Sequence, residues 1–370
     1  MINVLHLINY SGKGGTEKYI LTLIKNLDKN GCRFYLAYSI KGELIAELEK
    51  INIKTFKIPM RSCFDIRAAF LLKKICEKYS VDIVHTHFLR ENCISILSKI
   101  LGNKIKIINT RHMLTENSTL VGFINRISSV YVNRFIAVSN AVKEQLVREG
   151  ISSSKISMIY NGVNLKYWNG KCEPYIRKEL KIDGNDFVVT NIARFTEEKG
   201  HSFLFDSIKT FNKKNEERRD RRNIKFLLAG DGDLLEHFKN ITLKEDTYSN
   251  VILTGYRKDI KSILDESDLY VSPSKSEAFG ISIIEALACG KPVIATDTGG
   301  QTEILKGNKC GVLVNYGDID SFCNAMMKFI YDYSFYNTCK LYTVKTVEEH
   351  FSDMDSSLNT YKIYEKCIGK

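Results

Sequence analysis

The chain has 370 residues, 44% hydrophobic and 26% charged, with a formal net charge of +11. This is the balance of a globular protein with two ordinary domains, and it excludes a disordered or fibrous chain. No apolar run reaches the roughly 18 residues a membrane-spanning helix requires.

MINVLHLINYSGKGG has no charged region before its apolar stretch and runs into a glycine loop, so it reads as a first strand, Ile2–Ile8, and not as a signal peptide. A helix follows around Thr16–Leu27. Phe34–Tyr38 and Ile53–Ile58 have strand character, Ile66–Tyr79 has helical spacing, and Ile83–His85 reads as a short buried strand. Ile105–Asn109 and Arg134–Val138 repeat the theme before a helix over Ser139–Glu149. The pattern breaks over Asn161–Asp186, rich in Gly, Asn, Asp and Lys. It restarts at Phe187–Ile192, with further strands at Phe226–Ala229, Val251–Thr254, Leu269–Val271 and Val293–Ala295. Strands alternating with helical periods predict a doubly wound α/β architecture with parallel sheets, built twice. No solenoid repeat is visible, and four prolines leave little room for disordered linkers. The mixed-sign run Lys213–Arg222 reads as a solvated helix end or loop.

The charge is uneven. Residues 1–170 carry 25 Lys and Arg against 12 Asp and Glu, leaving 29 against 31 for residues 171–370. The first half therefore predicts an acidic partner: an anionic leaflet, a phosphorylated lipid or nucleic acid. Arg61–Lys78 and Phe123–Arg134 read as basic amphipathic helices, with a merely solvated helix face as the alternative for each. No DNA- or RNA-binding module is visible, so nucleic acid is not the expected partner. The ten cysteines are scattered, none closer than Cys63 and Cys76, with no C-x-x-C and no zinc spacing. Reduced thiols in a cytoplasmic protein are the expectation.

Ligands of open α/β sheets gather at the carboxyl ends of the strands, and the candidate chemistry clusters there. Ser272–Gly300 reads SPSKSEAFGISIIEALACGKPVIATDTGG. Gly280 before a helix lets backbone N–H groups approach an anion. Glu277 ahead of that helix is suited to sugar hydroxyls, and Glu285 inside it to ribose hydroxyls; two solvated glutamates are the alternative. Arg194 and Lys199, after the strand ending at Ile192, are spaced to clamp a diphosphate, or else to pair with Glu197 or Glu198. Gly230-Asp231-Gly232 allows a tight turn near the ligand. Gly12, Gly14 and Gly15 form neither a G-x-G-x-x-G fingerprint nor a P-loop. Alternation puts His85 and His87 on one strand face, and His112 follows a later strand. They are expected to hydrogen-bond hydroxyls in an interdomain cleft. Satisfied core histidines are the alternative, and a metal site lacks a supporting carboxylate or cysteine. Asp231-Gly232-Asp233, Asp318-Ile319-Asp320 and Asp353-Met354-Asp355 match the Asp-x-Asp pattern of a metal site, but none ends an apolar strand midway through a single nucleotide-binding domain.

Over nearly its whole length the chain resembles the retaining glycosyltransferases of family 4. The motifs are GGTE (Gly14–Glu17), VHTHF (Val84–Phe88), NTRH (Asn109–His112), IAVS (Ile136–Ser139), YNGV (Tyr160–Val163), ARFTEEKG, AGDG and the long E-x-F-G…E segment. The resemblance implies a GT-B fold, two Rossmann-like domains facing a central cleft. Residues 1–165 would bind acceptor and residues 166–350 the nucleotide-sugar donor, while a helix in 351–370 crosses back. It implies that Arg194 and Lys199 bind the donor diphosphate, that Gly280, with its neighbours Phe279 and Ile281, offers backbone N–H groups, and that Glu285 holds the ribose. Glu277 would contact the donor hexose, with His112 near the reacting sugar and Gly14 and Gly15 near the diphosphate. Asp231 and Gly232 would lie beside the donor, with Tyr256 and Arg257 walling the base. Ala278 stands where the family often has glycine, a change in packing more than in chemistry. The expected donor is a UDP-sugar before a GDP-sugar, with no metal or other cofactor. The expected acceptor is a glycan, lipid-linked in a bacterial surface-polysaccharide pathway, at the inner face of an anionic membrane. A non-catalytic scaffold or partner subunit, a sugar-nucleotide epimerase and a phosphorylase are the rival readings within the fold.

Overall fold

Apolar strands joined by amphipathic helices build two parallel sheets, each in its own unit. The structure is a computed structural model and describes residues 1–28, 31–114, 122, 125–127 and 129–369. Contacts divide the chain into Met1–Asn161 with Asp353–Lys370, and Gly162–Ser352.

The first unit holds β1 (Ile2–Tyr10), β2 (Cys32–Ile40), β3 (Lys54–Lys57), β4 (Ile83–Thr86), β5 (Lys106–Arg111), β6 (Arg134–Ala137) and β7 (Ile156–Met158). Their order is β3-β2-β1-β4-β5-β6-β7, all parallel. Helices cover both faces of such a sheet, so its central strands read as continuous apolar runs. Val4, Leu5, Leu7 and Ile8 of β1 are fully buried, as is all of β4. The last helix, Asp353–Ile368, packs on the helix Gly15–Leu27. Asn26 donates to Ser357 Oγ at 3.1 Å, and Tyr364 is fully buried with its hydroxyl 2.7 Å from His85 Nδ1.

The second unit holds β8 (Phe187–Ile192), β9 (Ile224–Ala229), β10 (Val251–Gly255), β11 (Leu269–Ser272), β12 (Val293–Thr296) and β13 (Gly311–Val314). The order is β10-β9-β8-β11-β12-β13, again parallel. Phe195, Phe211, Phe226, Phe322 and Phe329 are buried in its main core.

Several elements stand beyond the sequence reading, among them the helices Leu235–Lys244, Ile319–Tyr331 and Tyr333–His350. Strands β7 and β13 lie at sheet edges and are mostly half-buried, so they lack the buried apolar run of the central strands. The helix Glu43–Lys50 spans eight residues. The helix Leu89–Ile100 hides its period because Glu91, Asn92, Ser95 and Ser98 are buried along with its apolar residues. Residues 213–216 of the mixed-charge run end the helix His201–Glu216. The helix expected over Phe123–Arg134 lies partly outside the described residues.

Tyr364 fills core volume and supplies the partner of a buried histidine. Tyr364→Ala is expected to destabilise the first unit by about 3–5 kcal/mol, and Tyr364→Phe, which only leaves His85 Nδ1 unpaired, by about 1–3 kcal/mol. Urea midpoints of the two variants check the ranking.

Candidate functional site

Sheet order decides where each unit can hold a ligand. In the second unit the order reverses between β8 and β11, so the loops after these strands diverge and leave a crevice at their carboxyl ends. The loop after β8 carries Arg194 and Lys199, and the loop after β11 leads to Glu277 and Gly280.

Backbone hydrogen bonds tie these loops together. Phe195, fully buried, donates its N–H to Asp231 O at 2.9 Å, and Leu234 N–H donates back to Phe195 O at 3.0 Å. Lys275 and Ser276 donate to Glu198 O at 2.9 and 3.3 Å. Gly230 has φ of +156°, and a Cβ there would lie 1.8 Å from Ala193 O, so only glycine permits the close approach. Gly280 takes the left-handed conformation (φ +108°) that opens the helix Ile281–Ala288, which has no side-chain cap. Its first N–H groups and the positive end of the helix dipole are features that suit an anion.

Within this frame Lys199 Nζ lies 2.6 Å from Glu277 Oε2, both side chains less than a fifth exposed. Gly300 N–H holds the Glu277 backbone carbonyl at 3.0 Å. A short, largely desolvated, charge-assisted bond of this kind fixes both side chains. Arg194 pairs with Glu198 at 3.2 Å, but the side chains are 64% and 42% exposed, so the pair is weak and the guanidinium stays within reach of solvent. Glu285 is 2% exposed, in a helix turn of otherwise apolar residues. Ile281 begins that helix, and Phe279 is buried against Phe351 with ring centroids 5.8 Å apart.

Other expected donor residues have partners of their own. Asp231 Oδ1 accepts from Gly232 N–H at 2.8 Å, bracing its turn. Tyr256 is 39% exposed after β10. Arg257, expected with Tyr256 as a wall for the base, has its guanidinium held by Glu179 at 2.5 and 2.9 Å and by Asp259 at 2.6 and 2.9 Å. The charge is spent within the domain. Of the remaining Asp-x-Asp matches, Asp318 caps the helix Ile319–Tyr331, and Asp353 and Asp355 sit in the first turn of the last helix, where acids oppose the helix dipole.

In the first unit the order reverses between β1 and β4. Gly14 caps and Gly15 begins the helix after β1, and Glu17 folds back to accept from Gly12 N–H at 3.0 Å. The histidines depart from expectation. His85 is fully buried, with Nδ1 at 2.7 Å from the Tyr364 hydroxyl and Nε2 at 2.7 Å from Thr110 Oγ1. His87 is equally buried, with Nε2 at 3.0 Å from His6 Nδ1 and Nδ1 at 3.1 Å from His112 Nε2. Neither offers a nitrogen to a substrate hydroxyl, because β4 is covered on both faces. Only His112, beyond the end of β5, is partly exposed. His6, His85 and His87 do place ring nitrogens within 4.8 Å of one another. Every nitrogen of His85 and His87 is already hydrogen-bonded, however, so this set does not fit a metal ion without losing those bonds.

Sequence reasoning missed three buried groups. His6 pairs in register with His85 across β1 and β4, a juxtaposition visible only once the strands are adjacent. Glu91 is 1% exposed and accepts from Asn9 N–H at 2.5 Å, with burial pushing its carboxyl above the usual range. His201 stacks on Phe195 at 4.0 Å, and burial lowers its imidazole to about 4. The ARFTEEKGH run held the signal for His201 only as the residue after its last glycine.

Two doubly wound domains, the second with a cation–carboxylate pair and a helix N-terminus at its switch point, are the architecture of GT-B glycosyltransferases. Residues 13–167 match the profile described as Glycosyltransferase Family 4, and residues 173–346 the profile described as Glycosyl transferases group 1. The chain belongs to this glycosyltransferase family and is an enzyme of that class. It is 29% identical over 309 residues to the Escherichia coli UDP-Gal:alpha-D-GlcNAc-diphosphoundecaprenol alpha-1,3-galactosyltransferase, covering 80% of this chain and 76% of that protein. It is 24% identical to the N-acetyl-alpha-D-glucosaminyl L-malate synthase of Bacillus anthracis, covering 76% and 74%. The fold is shared with a glycosyltransferase from Rickettsia africae (TM-score 0.86, 24% identity, 99% and 98% coverage). It is shared also with Anabaena HepE, solved with UDP and glucose (TM-score 0.87, 19% identity, 99% and 100% coverage).

Burial keeps the imidazoles of His6, His85, His87 and His112 neutral; His6 and His112 are lowered to about 3. The unfolded chain binds these protons near pH 6.5. The stability of the neutral cluster is therefore fully present above pH 6.5 and is lost as pH falls toward 3. His6 alone is expected to cost about 2 kcal/mol between pH 7 and pH 5. A urea midpoint that does not drop over that interval would refute the buried neutral state.

Proposed function

We propose that the chain transfers a hexose or N-acetylhexosamine from a nucleoside-diphosphate sugar, a UDP-sugar before a GDP-sugar, to a hydroxyl of a glycan acceptor, with retention of anomeric configuration. The observation that carries this is the Lys199–Glu277 pair beside the Gly280 helix N-terminus at the β8/β11 reversal. The names of the Escherichia coli relative and of the Anabaena complex, both with uridine nucleotides, support the choice of base.

On this reading Arg194, Lys199 and the backbone N–H groups from Gly280 onward hold the diphosphate. Glu285 takes the ribose, Glu277 the hexose, and His112 the transferred sugar. The bond between the anomeric carbon and the diphosphate oxygen breaks. The acceptor oxygen bonds to that carbon on the same face, and its proton passes to the departing phosphate oxygen. Negative charge grows on the leaving diphosphate, where fixed cations and a helix dipole are most effective. No metal is invoked, since these groups already supply the neutralisation.

The acceptor is proposed to be lipid-linked, in bacterial surface-polysaccharide synthesis, with the enzyme peripheral at the inner leaflet. No helix among the described residues is long and apolar enough to cross a membrane. The helix Ile66–Lys78 instead exposes Ile66, Phe70 and Leu71, which with Leu101 and Arg67 line one apolar hollow, and Lys74 lies over the Phe70 ring at 4.8 Å. Apolar side chains rimmed by cations suit an anionic lipid surface.

With EDTA present, UDP or its sugar conjugate at about 100 times its Kd should raise the melting temperature by about 5–10 °C. Lys199→Ala or Glu285→Ala should abolish the shift. A shift that appears only with divalent metal would defeat the metal-free reading, and no shift with UDP, GDP or ADP would defeat the donor assignment. In a second experiment the protein should sediment with phosphatidylglycerol vesicles at low salt and be released by added salt. Phe70→Asp should weaken this at least fivefold, about 1 kcal/mol or more. Failure to sediment at low salt would remove the membrane surface from the proposal.

A further inference from the structure

His112 ends a chain of three imidazoles. His6 Nδ1 lies 3.0 Å from His87 Nε2, and His87 Nδ1 lies 3.1 Å from His112 Nε2. The rings of His6 and His87 are nearly parallel, and Tyr19 lies edge-on to His87 and His112. The two ends differ. His6 Nε2 is buried without a hydrogen-bond partner, and His112 Nδ1 makes no hydrogen bond among the described residues.

A neutral imidazole has one N–H and one lone pair, so the two links must run in the same direction. If His112 donated to His87, then His87 would donate to His6, and the proton of His6 would sit on Nε2, a buried N–H with no acceptor. If His6 donates to His87, then His87 donates to His112, and His6 Nε2 is left as a bare lone pair. Buried N–H groups without a partner are rarer and costlier than under-used acceptors. The second direction is therefore favoured. The hydrogen bond on one ring nitrogen decides where the proton sits on the other.

We infer that His6 and His87 are positioning residues that hold His112 as its Nδ1–H tautomer, so that His112 offers the transferred sugar a hydrogen-bond donor and not a base. The assignment of the tautomer stands on this chain alone; its bearing on catalysis rests on the contact between His112 and the sugar proposed above. The mechanistic consequence is definite. A ring that accepts at Nε2 and carries its proton on Nδ1 has no lone pair left for the acceptor hydroxyl. The proton of that hydroxyl must go to the leaving phosphate, and His112 serves by orienting a sugar oxygen. His85 takes no part, since its nitrogens face Tyr364 and Thr110.

The test is a long-range proton–nitrogen correlation spectrum of the full chain labelled with ¹⁵N-histidine, in which the protonated and bare ring nitrogens are well separated. There are seven histidines, and single substitutions assign them. The expected result is Nδ1–H for His6, His87 and His112 in the wild-type protein. Nε2–H at His87 or His112 would overturn the inference, and this readout needs no variant to fold. His6→Phe should then leave His112 in mixed tautomers and lower kcat about tenfold with the donor KM unchanged. His6→Asn, whose amide can still donate to His87, should restore both. A single Nδ1–H signal at His112 in His6→Phe would overturn the role of His6. Should His112→Ala retain full kcat while the wild-type spectrum is as expected, the proposed sugar contact fails and the tautomer assignment survives.

Discussion

A parallel sheet wound outward from its first strand in both directions has one place where neighbouring strands send their chains to opposite faces. Each unit of this protein has one such place, between β1 and β4 and between β8 and β11. The backbone there cannot close over the strand ends, and whatever the adjacent loops carry is left facing the gap. That constraint turns residues more than 70 positions apart, such as Lys199 and Glu277, into neighbours. It also explains Gly200, Gly230 and Gly232, where a Cβ would meet the backbone of Pro273, Ala193 and Phe195 in the neighbouring loops.

The two units use their gaps differently. The second pairs its charges, with the largely buried Lys199 and Glu277 balanced against each other and Arg194 only loosely held at the surface. A diphosphate entering such a site exchanges an existing partner for itself, so the site is spared an isolated buried cation. The first unit has drawn its polar groups inward. Its histidines are desolvated to the point of neutrality and linked to one another, which gives fixed geometry at the cost of tolerance to acid.

Much of this was legible in the chain. Strand positions from Phe187 to Val293 are evident because buried parallel strands are short apolar runs bounded by glycine and polar residues. The E-x-F-G…E segment announces its carboxylates by their distance from a glycine that opens a helix. Three kinds of feature were not legible. The edge strands β7 and β13 are only partly buried, so they lack the continuous apolar run that marks the equally short β4, β11 and β12. The helix Leu89–Ile100 buries glutamate, asparagine and serines that a hydrophobicity argument assigns to solvent. Pairings across strands, such as His6 with His87 or Arg257 with Glu179, depend on which strands or loops lie side by side. No spacing in the sequence encodes that. His85 and His87 show the same limit: alternation correctly places them on one face, but cannot say that the face is sealed.

The last helix carries a consequence for how the chain is made. Gly162–Ser352 is one continuous segment, whereas the first unit draws on residues from both ends of the sequence. During synthesis the second unit can therefore complete its core while the first still lacks the helix Asp353–Ile368. Until Tyr364 arrives, His85 Nδ1 has lost its partner and the surface of the helix Gly15–Leu27 stands open to solvent. The usual order, in which the amino-terminal domain folds first, need not hold here, because the first unit lacks one of its own helices until residues 353–368 have been made.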